Sequence, residues 1–78
     1  MPHFVLNENA QTEGKHKGQR ELHNLSVGKE KGCLPDDINQ IHLFERPSCR
    51  EAVLLARAIY PDWSINGCAY CAPECDEG

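Results

Sequence analysis

The chain is short of most things that a self-sufficient core needs. Only 6% of its 78 residues are aromatic, and its longest aliphatic run is Ala52-Val53-Leu54-Leu55-Ala56. A membrane-spanning helix takes roughly 20 apolar residues, so a membrane partner is not expected. The opening Met1-Pro2-His3-Phe4-Val5-Leu6-Asn7 has no basic stretch followed by a long apolar one. No secretory leader is therefore expected, and the cytoplasm is the expected compartment. Cationic charge is scarce as well. The net charge is −4, with three arginines against eight acids in residues 33–78 and five lysines and arginines against four acids in residues 1–32. Phosphate binding is driven by clustered Lys and Arg displacing counterions, so nucleic-acid binding through the second half is disfavoured. The 15–20 segment, with Lys15, Lys17 and Arg20, is where it keeps a foothold.

What the chain does have is cysteine. A single domain over residues 1–78 is the expectation at this length, and domains below roughly 70–80 residues usually recruit a metal, disulfides or a partner to hold their fold. Cys33, Cys49, Cys68, Cys71 and Cys75 are the natural candidates for that staple. Their odd number argues against a fully paired framework, and in a reducing compartment Cys-x-x-Cys reads as metal-binding or redox-active.

Local patterns predict a sparse α+β fold: a small antiparallel sheet with one packed helix and a C-terminal cysteine knuckle. Phe4-Val5-Leu6 reads as a strand, and the polar 9–19 stretch as a mobile loop. Residues 20–27 read as extended, with Leu22 and Val27 as their apolar positions. Gly28-Lys29-Glu30-Lys31-Gly32 reads as a charged loop leading into Cys33. Ile41-His42-Leu43-Phe44 alternates as a strand does, with Ile41 and Leu43 on one face. The clearest element is a helix over 49–60. Ser48 and Glu51 have capping-box spacing, Pro61 stops the helix, and Cys49, Ala52, Val53, Ala56, Ile59 and Tyr60 form an apolar stripe. Trp63 then caps the core below the helix, and Asn66-Gly67 reads as a turn into Cys68.

The sharpest local signal is Gly67-Cys68-Ala69-Tyr70-Cys71-Ala72-Pro73-Glu74-Cys75. Two cysteines three apart, after a glycine that permits a tight turn, can aim both sulfurs at one ion. Zinc takes four ligands in a tetrahedron at about 2.0–2.3 Å, so the knuckle is half a site. Cys33 is the first choice for the other half, with His23 and Cys75 competing for the last place and Cys49 behind them. Cys49 lies on the apolar stripe and reads first as a small core residue. His3 and His16 read as solvated, and His42 as a packed or hydrogen-bonded strand residue. A redox pair at Cys68 and Cys71, an iron–sulfur cluster and simple disulfides are the competing chemistries. The first lacks the strand–helix setting that lowers a thiol pKa, and C-x₂-C-x₃-C matches neither ferredoxin spacing.

The order His23, Cys33-Leu34-Pro35, Asn39-Gln40-Ile41-His42-Leu43-Phe44, Ser48, Glu51-Ala52 and Gly67-Cys68-Ala69-Tyr70-Cys71 resembles a group of small uncharacterised bacterial cysteine-containing proteins. Those open similarly to Val5-Leu6-Asn7-Glu8-Asn9-Ala10-Gln11. More distantly, residues 20–75 are similar to the Ada-type metal-binding module. That resemblance implies a small sheet with one packed helix and one zinc held by Cys33, Cys68 and Cys71, with His23 as the fourth ligand. Nine residues separate His23 from Cys33, a longer gap than in the related modules. The methyl transfer of the Ada protein is not implied, because no DNA-binding surface accompanies the cysteines. The functions in view are thus a zinc module acting through binding, with a protein as its expected partner and no catalytic residue; a thiol/disulfide redox protein; a nucleic-acid accessory domain using the 15–20 segment with Trp63 or Tyr70; and a metal-free domain.

Overall fold

The computed structural model describes residues 1–14 and 16–77, so Lys15 of the basic segment lies outside the described residues. Its elements are β1 (His3–Asn7), β2 (Arg20–Asn24), α1 (Leu25–Lys31), β3 (Gln40–Glu45), α2 (Cys49–Ile59) and β4 (Ile65–Gly67), with single 3-10 turns at Asp37–Asn39 and Pro73–Cys75. The α+β class holds. The strands form one sheet in the order β3-β1-β2-β4. β1 runs antiparallel to both β2 and β3, while β4 runs parallel to β2. The sheet is therefore mixed and not purely antiparallel. The cause is α2, which carries the chain back across the sheet, so that β4 starts from the same end as β3; a parallel pairing needs such a crossover.

One face of the sheet and one face of α2 make the core. Phe4, Leu6, Leu22, Leu43 and Ile65 pack against Cys49, Ala52, Val53 and Ala56, with Ile41, Leu55, Tyr60 and Trp63 closing the edges. Ser48 caps α2, its Oγ accepting from the Glu51 N–H at 3.4 Å. The helix stops before Pro61, as the sequence predicts, although Ile59 at the end of the stripe is exposed. Trp63 covers the edge of the core sandwiched between the Tyr60 ring, 4.1 Å away between centroids, and the Arg20 guanidinium, 3.9 Å from its centroid. Among the described residues no helix is long and apolar enough to cross a membrane.

The other face of the sheet carries Val5, with His23 of β2 and His42 of β3 as its cross-strand neighbours. Here the chain departs from its expected course. Residues 25–31, expected as extended chain and loop, form helix α1. Asn24 starts it by accepting from the Val27 N–H at 3.3 Å, and Gly32 ends it in the left-handed region at φ 68°. Both the Gly32 and the Cys33 N–H groups donate to the Gly28 carbonyl, which turns the chain sharply into Cys33. Residues 65–67 are likewise a strand where a turn was expected. The described part of the 9–19 stretch folds back on itself, the Gln11 N–H donating to Gln19 O and the Gly18 N–H to Gln11 O.

Candidate metal centre

Three separate pieces of chain meet beside α1. His23 comes from β2, Cys33 from the turn after α1, and Cys68 and Cys71 from the knuckle after β4. The pairing of β2 with β4 continues into the knuckle, where the Cys68 N–H donates to Leu22 O at 2.9 Å. That bond puts Cys68 next to the strand that carries His23. The Ala72 N–H then donates to Cys68 O at 2.9 Å, closing a turn that brings Cys71 back over the same spot. One nitrogen and three sulfurs all lie within 4.8 Å of one another. His23, Cys68 and Cys71 are buried and Cys33 is half-buried. The four residues expected as ligands from the sequence are thus brought together, and the cluster can hold a metal ion.

Electrostatics within the cluster follow from hydrogen bonding. The Cys71 thiol donates to the Cys68 sulfur; this bond, opposed by burial and helped by a contact with His23, holds the Cys68 thiol down at about 3. The same bond pushes the Cys71 thiol well up, because ionising it would remove the donor, and burial adds to the effect. Burial is the main cause that pushes Cys33 up. The metal-free cluster therefore concentrates one negative charge on Cys68 and keeps the other two sulfurs protonated. Three soft sulfurs and an imidazole suit zinc and other thiophilic metals over the hard, oxygen-loving ions.

The remaining cysteines are placed differently from expectation. Cys49 and Cys75 form a disulfide, with sulfurs 2.02 Å apart, that ties the start of α2 to the last turn of the described chain. This corrects the reading of Cys49 as an unpaired core residue and removes Cys75 and Cys49 from the contest for the fourth ligand. Connectivity of this kind cannot be deduced from spacing alone. The cysteines left free are Cys33, Cys68 and Cys71.

The histidines divide unevenly. His3 and His42 lie on neighbouring strands with ring nitrogens 3.0 Å apart, beside the exposed Phe44. His16, expected to be solvated, is buried: its Nδ1 lies 2.6 Å from Glu21 Oε2 and its Nε2 3.0 Å from Asp76 Oδ1. Glu21 was not singled out from the sequence, yet its Oε1 stands 4.0 Å from His23 Nε2. The available signal was alternation, because residues 21 and 23 of one strand share a face. Gly28 was missed for another reason. A side chain there would run into Leu34 Cδ2 and Cγ and meet Cys71 Sγ at ordinary contact distance, so it would fit only if the Leu34 side chain moved aside.

Fold and site together define a small α+β domain with a three-cysteine, one-histidine cluster, buried but for Cys33, beside α1. No family model, curated protein or solved structure matches the chain.

Proposed function

We propose that the protein is a structural zinc module that acts through binding, with His23, Cys33, Cys68 and Cys71 as the ligands of one ion. The observation that carries this is the convergence of four ligand atoms within 4.8 Å, drawn from three segments far apart in sequence. Four protein ligands would fill the coordination sphere of a tetrahedral ion and leave no open position for water or substrate, which is the mark of a structural and not a catalytic site. Four ligand atoms within 4.8 Å of one another suit a single ion, and the C-x₂-C-x₃-C spacing matches neither ferredoxin pattern. The order of Cys33 before the helix α2 and Cys68 and Cys71 after it also resembles that of the Ada-type module.

A domain of this length usually needs a staple beyond its apolar core. The cluster joins β2, the turn after α1 and the knuckle, three pieces of chain that one ion would tie together. Metal binding in small zinc domains is worth apparently about 10–16 kcal/mol, and it is delivered as folding energy. Coordination also keeps three thiolates from oxidising while Cys49 and Cys75 are joined. Free thiols at Cys33, Cys68 and Cys71 accord with a reducing compartment such as the cytoplasm; the disulfide draws the other way, since such bonds persist in oxidising compartments. The acidic second half supports a protein partner over a nucleic acid.

The second reading, a redox pair at Cys68 and Cys71, is favoured by the low thiol pKa of Cys68 beside the Cys71 thiol. One experiment separates the two. Native and denaturing mass spectrometry of the purified protein, with metal analysis, should show one zinc per chain that is lost on acidification. Alkylation after denaturation in chelator should then label three cysteines and spare Cys49 and Cys75. A folded, metal-free protein that binds no added zinc, and cycles Cys68 and Cys71 between thiols and disulfide, would replace the zinc reading with the redox one.

A further inference from the structure

We infer that Glu21 is a positioning residue for the metal centre: it holds the His23 ring by Nε2 so that Nδ1 is the nitrogen presented to the ion. This rests on the zinc reading and specifies how its weakest ligand is built. His23 Nδ1 lies 3.3 Å from Cys71 Sγ, so that nitrogen faces the sulfurs. The opposite nitrogen, Nε2, is buried and makes no hydrogen bond. His23 as a whole is 1% exposed, so water does not serve it from bulk. A buried polar group left in that state costs about 1–3 kcal/mol, and such orphans in folded proteins call for an explanation.

Glu21 supplies one. It projects from the same face of β2 as His23, and its Oε1 stands 4.0 Å from the orphaned nitrogen. The carboxylate is itself fixed in place. Gln11 Nε2 donates to Oε1 at 2.7 Å, and His16 Nδ1 meets Oε2 at 2.6 Å. His16 is anchored from its far side by Asp76, 3.0 Å from Nε2. The 9–19 segment thus contributes two side chains whose common target is the Glu21 carboxylate. A histidine that ligates a metal through one nitrogen nearly always gives its other N–H to a carboxylate, carbonyl or water, which fixes the tautomer and raises the basicity of the ligating nitrogen. When an ion occupies the centre, the lone pair on Nδ1 is committed to it, the proton resides on Nε2, and the remaining gap to Glu21 Oε1 closes into that hydrogen bond. The row reads Asp76, His16, Glu21, His23, metal.

The test is a competition titration of zinc against a chromophoric chelator, using the full chain with its disulfide intact, as wild type, Glu21→Gln and Glu21→Ala. Loss of an outer partner of this kind typically weakens metal affinity roughly 10- to 100-fold, and that is the expected effect of Glu21→Ala. Glu21→Gln should fall between the two, because its amide oxygen still accepts from Nε2–H. Gln11→Ala, which removes a bond to Glu21 and leaves His23 untouched, serves as the control for general loosening and should change affinity less than either. In ¹⁵N-labelled zinc-loaded protein, His23 Nδ1 should carry the metal-coordinated shift, and the Nε2–H should exchange slowly in the wild type and faster in both Glu21 variants. If Glu21→Ala does not fold, Glu21→Gln carries the test by its exchange rate. A wild type that binds one zinc with Glu21 variants of equal affinity and equal exchange, or ligation through Nε2, overturns the role of Glu21 alone. A wild type that binds no zinc overturns the zinc reading and this one with it.

Discussion

A methyl group added at Gly28 is a compact way to ask whether α1 and the metal centre are packed as described. The Cβ of an alanine there would come within 2.8 Å of Leu34 Cγ and closer still to Leu34 Cδ2, while reaching Cys71 Sγ only at an ordinary 3.6 Å. Two effects oppose each other. Alanine is favoured over glycine inside a helix by about 0.5–1 kcal/mol. Overpacking a close contact costs about 1–3 kcal/mol, with the lower part of that range fitting a half-buried leucine that can swing outward. The net expectation for Gly28→Ala is a loss of about 0.5 kcal/mol, which for a domain of this size lowers the melting temperature by about 2–4 °C. Because Leu34 is bonded to Cys33, its displacement also moves a ligand. Each ~1.4 kcal/mol of that displacement borne by the site weakens zinc binding tenfold. Thermal unfolding of the zinc-loaded protein gives the first quantity and chelator competition gives the second. The decisive arm is the double variant Gly28→Ala/Leu34→Ala, which removes both crowding carbons. In the Leu34→Ala background the glycine substitution should become neutral or mildly stabilising, giving a coupling of about 1–3 kcal/mol. A Gly28→Ala protein as stable as the wild type, or an equal cost in both backgrounds, would refute the packing argument.

Gly67→Ala should be more damaging, because its Cβ would lie 2.6 Å from Cys75 Cβ and 2.7 Å from the Ala72 carbonyl oxygen, and backbone cannot swing aside. A loss above about 3 kcal/mol in urea unfolding is expected, beyond the usual range for a point substitution, with no single truncation restoring it. Removing the disulfide as Cys49→Ala/Cys75→Ala opens a loop set by a separation of 26 residues, worth about 3–4 kcal/mol on the chain-entropy model. Zinc stoichiometry should stay at one per chain, since neither sulfur belongs to the cluster, and a variant without zinc would show that the two are coupled. In the metal-free protein the Cys68 thiol sits at about 3 against 9.0 when unfolded. Between those values the unfolded chain binds the extra proton, so stability rises with pH from about 3 towards 9. Cys33 and Cys71 are pushed above 9.0 and act in the opposite sense, so stability declines as pH climbs past 9. Zinc should abolish that alkaline decline, which urea unfolding across pH with and without zinc will check.

Much of the frame and the site was legible in the sequence where the signals are local. Ser48, Pro61 and the apolar stripe between them define α2 without reference to the rest of the molecule, and Phe4–Leu6 and Ile41–Phe44 carry strand patterning of their own. The cluster was legible in part because Cys-x-x-Cys needs partners of a limited kind: Cys33 was the first choice, whereas His23 shared the last place with Cys75 until the fold brought it beside the knuckle. What escaped depends on distant contacts. α1 has seven residues and two glycines at its fourth position and its end, and only the Asn24 cap and its packing beside Cys71 and Leu34 make it a helix. Ile65-Asn66-Gly67 looks like a turn until β2, some 45 residues earlier, is available to pair with it. His16 is polar and flanked by lysines in sequence, and only the fold brings Glu21 and Asp76 to its two nitrogens.

The placement of every cross-link has a consequence for the order in which the molecule is made. The disulfide has one end at Cys75, the metal cluster has two of its four members at Cys68 and Cys71, and β4 closes the sheet immediately before them. Until residues 65–75 are available, His23 and Cys33 lack their counterparts and the β2 edge is left open, a liability for strand pairing with other chains. All three closures wait on the same short stretch between residues 65 and 75, and they become possible together when it emerges from the exit tunnel. None of the clasps of this domain can shut until that stretch has been made.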